Sequence, residues 1–162
     1  MQEKDLNFIL DNQHLKRGIL IADKAKQTLL IIGSSDTQGA EIAERFDFVS
    51  FWQPCPCGYY NHSEKECICT SAQIAKYLSK KPKTDLEVEI RQPRFETLIK
   101  KTDLKDKDSI AILEKYYKAG KIGYNSVLSA IKTAKAIAEL NNFSKIRLQD
   151  MTEALSYCIK TD

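Results

Sequence analysis

The chain has 162 residues, of which 43% are hydrophobic and 29% charged, with a formal net charge of +3. That length suits one domain, or a small domain with an appendage, and the composition is that of a globular chain rather than a disordered one. No stretch approaches the roughly 18 unbroken apolar residues of a membrane span, and lysines interspersed with acids give no global case for nucleic acid.

In chain order, residues 14–23 read as a helix, and residues 27–33, "QTLLIIG", are a short apolar run closed by glycine, as expected of a buried strand. After "SSDTQG", residues 40–46 read as a second helix and residues 46–52, "FDFVSFW", as an aromatic and β-branched strand. A loop with four of the five cysteines follows. Beyond it, "SAQIAKYLSKK" predicts a helix with Ser71 as its N-cap, and residues 85–90 alternate as a half-buried third strand.

From about Phe95 the pattern is helical, with apolar faces at Leu113, Tyr116 and Tyr117, then Val127, Ile131, Ala134 and Ala138, then Leu148, Met151, Leu155 and Cys158. Cys158 on that last face reads as a core cysteine. The expected architecture is an α/β part over residues 1–94, a small sheet with helices, followed by an α-helical bundle over 95–162. The opening "MQEKDLNFILDNQ" lacks the basic and apolar regions of a secretory leader, so a cytoplasmic location is expected.

In a reducing compartment a cysteine cluster is more often a metal site than a disulfide staple. Cys55, Cys57, Cys67 and Cys69, in "CPCGYYNHSEKECICT", form two Cys-x-Cys pairs and supply four thiolates to a tetrahedral Zn(II). Pro54, Pro56 and Gly58 set tight turns around the first pair. Four protein ligands leave no open position for a catalytic water, so the expected role is structural. His62 lies inside the loop and could replace one thiolate. The alternative is that partly buried cysteines merely hold a turn-rich loop.

"FDFVSFWQPCPCGYY", "CICTSAQIAKYL" and "VEIRQPRFETL" resemble the sensor-1 strand, cysteine loop and following strand of magnesium-chelatase-like AAA+ ATPases of the ComM/YifB type. "NQHLKRGILIADKAKQTLLIIGSSDTQGAEIAERF" resembles the strand, phosphate loop and helix that open the ATPase core of that family. "IGYNSVLSAIKTAKAIAEL" and "IRLQDMTEALSY" resemble its C-terminal helical lid, so the resemblance covers nearly the whole chain. It implies a P-loop AAA+ core followed by a lid, and an ATP-dependent motor acting on DNA or in metal chelation.

The residues such a motor needs are replaced. A working P-loop reads G-x-x-x-x-G-K-[ST], its lysine reaching the phosphates and its hydroxyl holding Mg²⁺. Here Gly33 is followed by Ser34, Ser35, Asp36, Thr37 and Gln38, with Gly39 at the lysine and Ala40 at the hydroxyl; Asp36 sets a carboxylate where a triphosphate would lie. No Walker-B strand intervenes before residues 46–52, where Asp47 is at the wrong end. The arginine-finger position falls on Asp85, the sensor-2 arginine on Asn125 and the sensor-1 asparagine on Gln53.

The expectation is therefore a shortened, degenerate AAA+ relative, a pseudo-ATPase with no bound nucleotide and no catalytic residues. Gly33, Gly39 and Ala40 mark the degenerate nucleotide loop, and zinc is the expected metal. Its role would be interaction with a protein partner, an intact AAA+ relative being the first candidate. ATP-independent nucleic-acid binding is a weaker reading, resting on Ser79–Lys83 with Lys100 and Lys101, and on Tyr59, Tyr60 and His62 as stacking rings. No membrane association is expected.

Overall fold

The computed structural model describes residues 1–59, 62 and 65–159. The chain is an α/β unit followed by a helical bundle, and divides into two compact units, residues 1–93 and 94–162. Among the described residues no helix is long and apolar enough to cross a membrane.

The first unit is built on three short parallel strands, β1 (Leu29–Ile32), β2 (Val49–Trp52) and β3 (Leu86–Glu89), in the order β2-β1-β3. β1 is central, and its "LLII" has Leu29, Leu30 and Ile31 fully buried, the near-continuous apolar run a parallel strand needs. The edge strands are only partly covered: β2 buries Val49 alone and β3 buries Val88 alone. Helices α1 (Gln13–Ala25) and α2 (Gly39–Arg45) bury Leu15, Ile19, Ala22 and Ile42 in one core with Leu29, Ile31, Val49 and Val88. Paired strand positions share a face, so this is one face of the sheet. A 3₁₀ turn, Glu3–Leu6, which the sequence pattern did not suggest, adds Leu6 and is followed by Ile9 in the same core.

Two polar clamps hold the strands at opposite ends. Before the strands begin, the Asp85 carboxylate accepts from the Thr28 N–H (2.9 Å) and hydroxyl (3.0 Å), and the Asp85 N–H donates back to that hydroxyl (3.0 Å). The Thr28 amide, then its hydroxyl, hold the Asp85 carboxyl below the usual range. At the carboxyl end, the Asn12 side chain brackets the Arg91 backbone, accepting from its N–H and donating to its carbonyl, each at 2.9 Å. Asp85 thus has a packing reason to be an acid.

Helix α3 (Ser71–Leu78) follows the cysteine loop, and Thr70, not Ser71, is its N-cap: the Thr70 hydroxyl accepts from the Gln73 N–H (3.2 Å) and the Gln73 side chain accepts from the Thr70 N–H (2.9 Å). Glutamine three residues on makes Thr70 the partner in a capping box, a geometry Ser71 would not share. None of the eight residues of α3 is buried.

The second unit consists of α4 (Phe95–Lys100), α5 (Lys107–Lys118), α6 (Tyr124–Leu140) and α7 (Leu148–Cys158). The expected positions Leu113, Tyr117, Val127, Ile131, Ala134, Ala138, Met151 and Leu155 are buried, whereas Leu148 is exposed. Cys158 is only half-buried, its Sγ 3.9 Å from the Ser129 hydroxyl. In α7 the buried positions are Asp150, Met151, Ala154 and Leu155, and the cover does not extend to the last turn where Cys158 stands, which corrects the expectation of a core cysteine.

At the start of α7 the buried Asp150 carboxylate accepts from the Arg147 guanidinium (2.9 and 3.1 Å) and the Arg147 N–H (2.9 Å), and the guanidinium holds its pKa below the usual carboxylate range. A depressed folded pKa gives stability that is present above the unfolded value of about 3.9 and is lost as pH falls through the folded one. Asp150→Asn is therefore expected to lower stability at pH 7 by about 1–3 kcal/mol. In thermal melts the gap to wild type should narrow below about pH 4; a gap independent of pH would refute the role of the charge.

Candidate metal centre and the loop beside it

The cysteine loop leaves the carboxyl end of β2, beside the loop that leaves β1. Its first turn is closed by the Gly58 N–H donating to the Cys55 carbonyl (3.3 Å), and the Gln53 side chain donates to that same carbonyl (3.0 Å). Gly58 has φ +81°, a left-handed conformation that favours glycine, and a Cβ there would lie 2.8 Å from the Ser35 hydroxyl. Cys67 and Cys69 are brought together by alternation, with Ile68 between them turned outward and 84% exposed.

The four sulfurs of Cys55, Cys57, Cys67 and Cys69 lie within 4.8 Å of one another, with Cys55 to Cys57 at 3.3 Å and Cys57 to Cys67 at 3.6 Å. Ligands about 2.3 Å from a tetrahedral Zn(II) sit about 3.8 Å apart, so this cluster fits four-thiolate coordination. All four cysteines are free thiols, with separations well beyond the roughly 2.05 Å of a disulfide. Burial pushes the Cys55 thiol up, reinforced by hydrogen bonds with Cys57 and Cys67. Burial acts the same way on Cys57, but the Tyr59 amide and the thiols of Cys55, Cys69 and Cys67 outweigh it and bring Cys57 down to about 6. One ready thiolate beside protonated thiols is a donor set that binds a metal by releasing protons.

His62 is not in the cluster. Its Nδ1 accepts from the Lys65 N–H (3.0 Å), which leaves Nε2 protonated and donating to the Asp36 carboxylate (3.1 Å). The side chain is 1% exposed and stands edge-on to the Tyr59 ring, with centroids 5.6 Å apart. The Lys65 amine lies 4.6 Å from the centre of that ring, so Tyr59 is engaged by its own loop. Tyr60 lies outside the described residues.

The loop after β1 is occupied by the protein itself. A Cβ at Gly33 would meet Ile90 Cγ2 at 2.6 Å and its carbonyl oxygen at 2.9 Å, and one at Gly39 would meet the Phe51 ring at 2.3 Å. Both glycines are thus explained by close packing. Gln38 is buried, its side chain accepting from the Leu10 N–H (2.7 Å) and donating to the Phe8 carbonyl (3.1 Å). Thr37 donates to the Ser34 carbonyl (2.8 Å) and accepts from the Gly39 N–H (3.3 Å), while the Ser35 N–H donates to the Gly58 carbonyl (3.2 Å). Ala40, at the start of α2, is exposed. Asp47 precedes β2 and Asn125 lies in the first turn of α6, both exposed.

Sequence reasoning found the four cysteines and missed the Asp36–His62 pair, the Gln38 latch and the Thr28–Asp85 clamp. Each joins residues 26 to 57 positions apart, or is read only from the neighbours it touches.

The first unit is thus a small parallel α/β domain that carries a cluster of four thiols at the carboxyl edge of its sheet. Residues 38–98 match the family model described as magnesium chelatase, subunit ChlI. The segment runs from α2 through β2, the four cysteines, α3 and β3 into α4. No curated protein and no solved structure matches the chain.

Proposed function

We propose that this is a non-catalytic magnesium-chelatase-like protein, an interaction or regulatory module built around a structural zinc loop. One observation carries the reading: the groups at the carboxyl end of β1 that would have to receive a triphosphate are spent on the protein's own contacts. The Ser35 and Gly39 amides already have acceptors, a carboxylate sits at Asp36, and Gly39, at the lysine position, faces the Phe51 ring. Phosphoryl transfer needs cations and Mg²⁺ at that place, and an arginine finger alone is worth about 10³–10⁵ in rate.

Zinc suits the four-sulfur donor set, and a closed set of protein ligands supplies folding energy rather than a reactive water. A protein partner is supported by α3, an amphipathic helix lying open beside the cysteines with Leu78 exposed. An intact AAA+ relative is the candidate partner. Titration with a fluorescent ATP analogue and Mg²⁺ tests the reading: no saturation is expected up to about 1 mM. Saturable binding with Mg²⁺-dependent phosphate release would replace it with the motor reading.

A further inference from the structure

We propose that the cysteine loop is a metal-operated clasp: a thiophilic divalent ion held by Cys55, Cys57, Cys67 and Cys69 keeps Ser35 and Asp36, in the loop at residues 33–38, shut against it, and removing the ion releases those two residues while Gln38 and the sheet stay in place. The inference rests on the metal reading above and concerns its regulation.

Each cysteine pair hands one contact across to the 33–38 loop. From the first pair, Gly58 lies next to Cys57 and its carbonyl accepts from the Ser35 N–H at 3.2 Å; Gly58 also packs so closely that a Cβ would lie 2.8 Å from the Ser35 hydroxyl. From the second pair, Lys65 stands two residues before Cys67, and its N–H fixes Nδ1 of His62 (3.0 Å), which presents Nε2 to Asp36 (3.1 Å). The ring is buried and braced by Tyr59, whereas Asp36 is 26% exposed, so the rigid partner belongs to the cysteine loop and the yielding one to the 33–38 loop.

Without a metal the two pairs are joined through sulfur contacts such as the 3.6 Å Cys57–Cys67 approach, and thiols are weak donors and acceptors. A shared ion makes the positions of Gly58 and of His62 interdependent, so both links close together. The sheet has anchors that bypass the cluster: the Gln38 latch, Asn12 on Arg91 and Thr28 on Asp85. Opening is therefore local. It frees the Ser35 N–H and the Asp36 carboxylate from their partners at the carboxyl end of β1, beside the switch point between β1 and β3 where ligands of open parallel sheets bind.

Hydrogen–deuterium exchange on the full chain tests this under reducing conditions, with the protein zinc-loaded, stripped by a chelator, and reloaded, and with zinc content measured in parallel. The Ser35 amide is expected to exchange about tenfold faster after stripping and to slow again on reloading, with β1 amides unchanged. Asp36→Ala should speed loop exchange in the loaded state about threefold while zinc stoichiometry stays that of wild type. Equal Ser35 exchange in loaded and stripped protein overturns the clasp even though the metal site stands. Faster exchange across β1 as well also overturns it, making the ion a staple for the whole unit. Failure to take up zinc removes the metal reading itself, and the zinc assay reports that independently of exchange.

Discussion

Cys57→Ser is expected to strip the protein of zinc. Wild type should carry about one equivalent and the variant a small fraction of one, because the Cys57 sulfur lies 3.3 Å from Cys55 and 3.6 Å from Cys67 and is the thiol whose pKa is brought down to about 6. Losing a thiolate should weaken affinity beyond the roughly 10–100-fold that loss of an outer-shell partner costs. An ion present at about 100 times its dissociation constant stabilises the folded state by about 2.7 kcal/mol, so a chelator should lower the wild-type Tm by several degrees and leave the variant unmoved. Acid should release the metal from wild type, with the fall steepening below about pH 6 as Cys57 joins the thiols already protonated. A Cys57→Ser protein that keeps a full equivalent of zinc would rule out this ligand set.

The sheet and the cysteines were legible because their signals are local. "LLII" between a polar turn and a glycine can be little but a buried strand in an α/β chain, and Cys67-x-Cys69 in an extended segment puts both sulfurs on one side, as the tight turn does for Cys55 and Cys57. The helix cap shows local information weighed wrongly: Thr70 and Ser71 are both acceptable caps, and Gln73 decides between them.

What was illegible depends on neighbours distant in sequence. Asp36 reads as a carboxylate hostile to phosphate, yet nothing in the sequence says that a histidine 26 residues on will be buried against it. Gly33 and Gly39 read as marks of a degenerate nucleotide loop, and only the Ile90 backbone and the Phe51 ring reveal why a side chain would not fit. Asp85 likewise reads as a lost arginine until Thr28 is seen on it.

Those three-dimensional reasons bear on whether the loop can be turned back into a nucleotide site. Writing the P-loop residues into this chain as Gln38→Gly, Gly39→Lys and Ala40→Thr restores glycine, lysine and hydroxyl at the required spacing. It is expected to give a less stable protein that still binds no ATP. Gln38→Gly strands the buried Leu10 N–H, a loss of about 1–3 kcal/mol. Gly39→Lys drives a side chain into a ring 2.3 Å from where its Cβ must lie, costing about 1–3 kcal/mol more. Asp36 stays in place, and a carboxylate facing a triphosphate opposes the attraction of the new lysine. Denaturation midpoints and ATP titration of the triple variant together decide the matter. A variant as stable as wild type that binds Mg·ATP would mean that the loop is still a phosphate cradle missing only its side chains, and that the packing at Gly33, Gln38 and Gly39 is incidental.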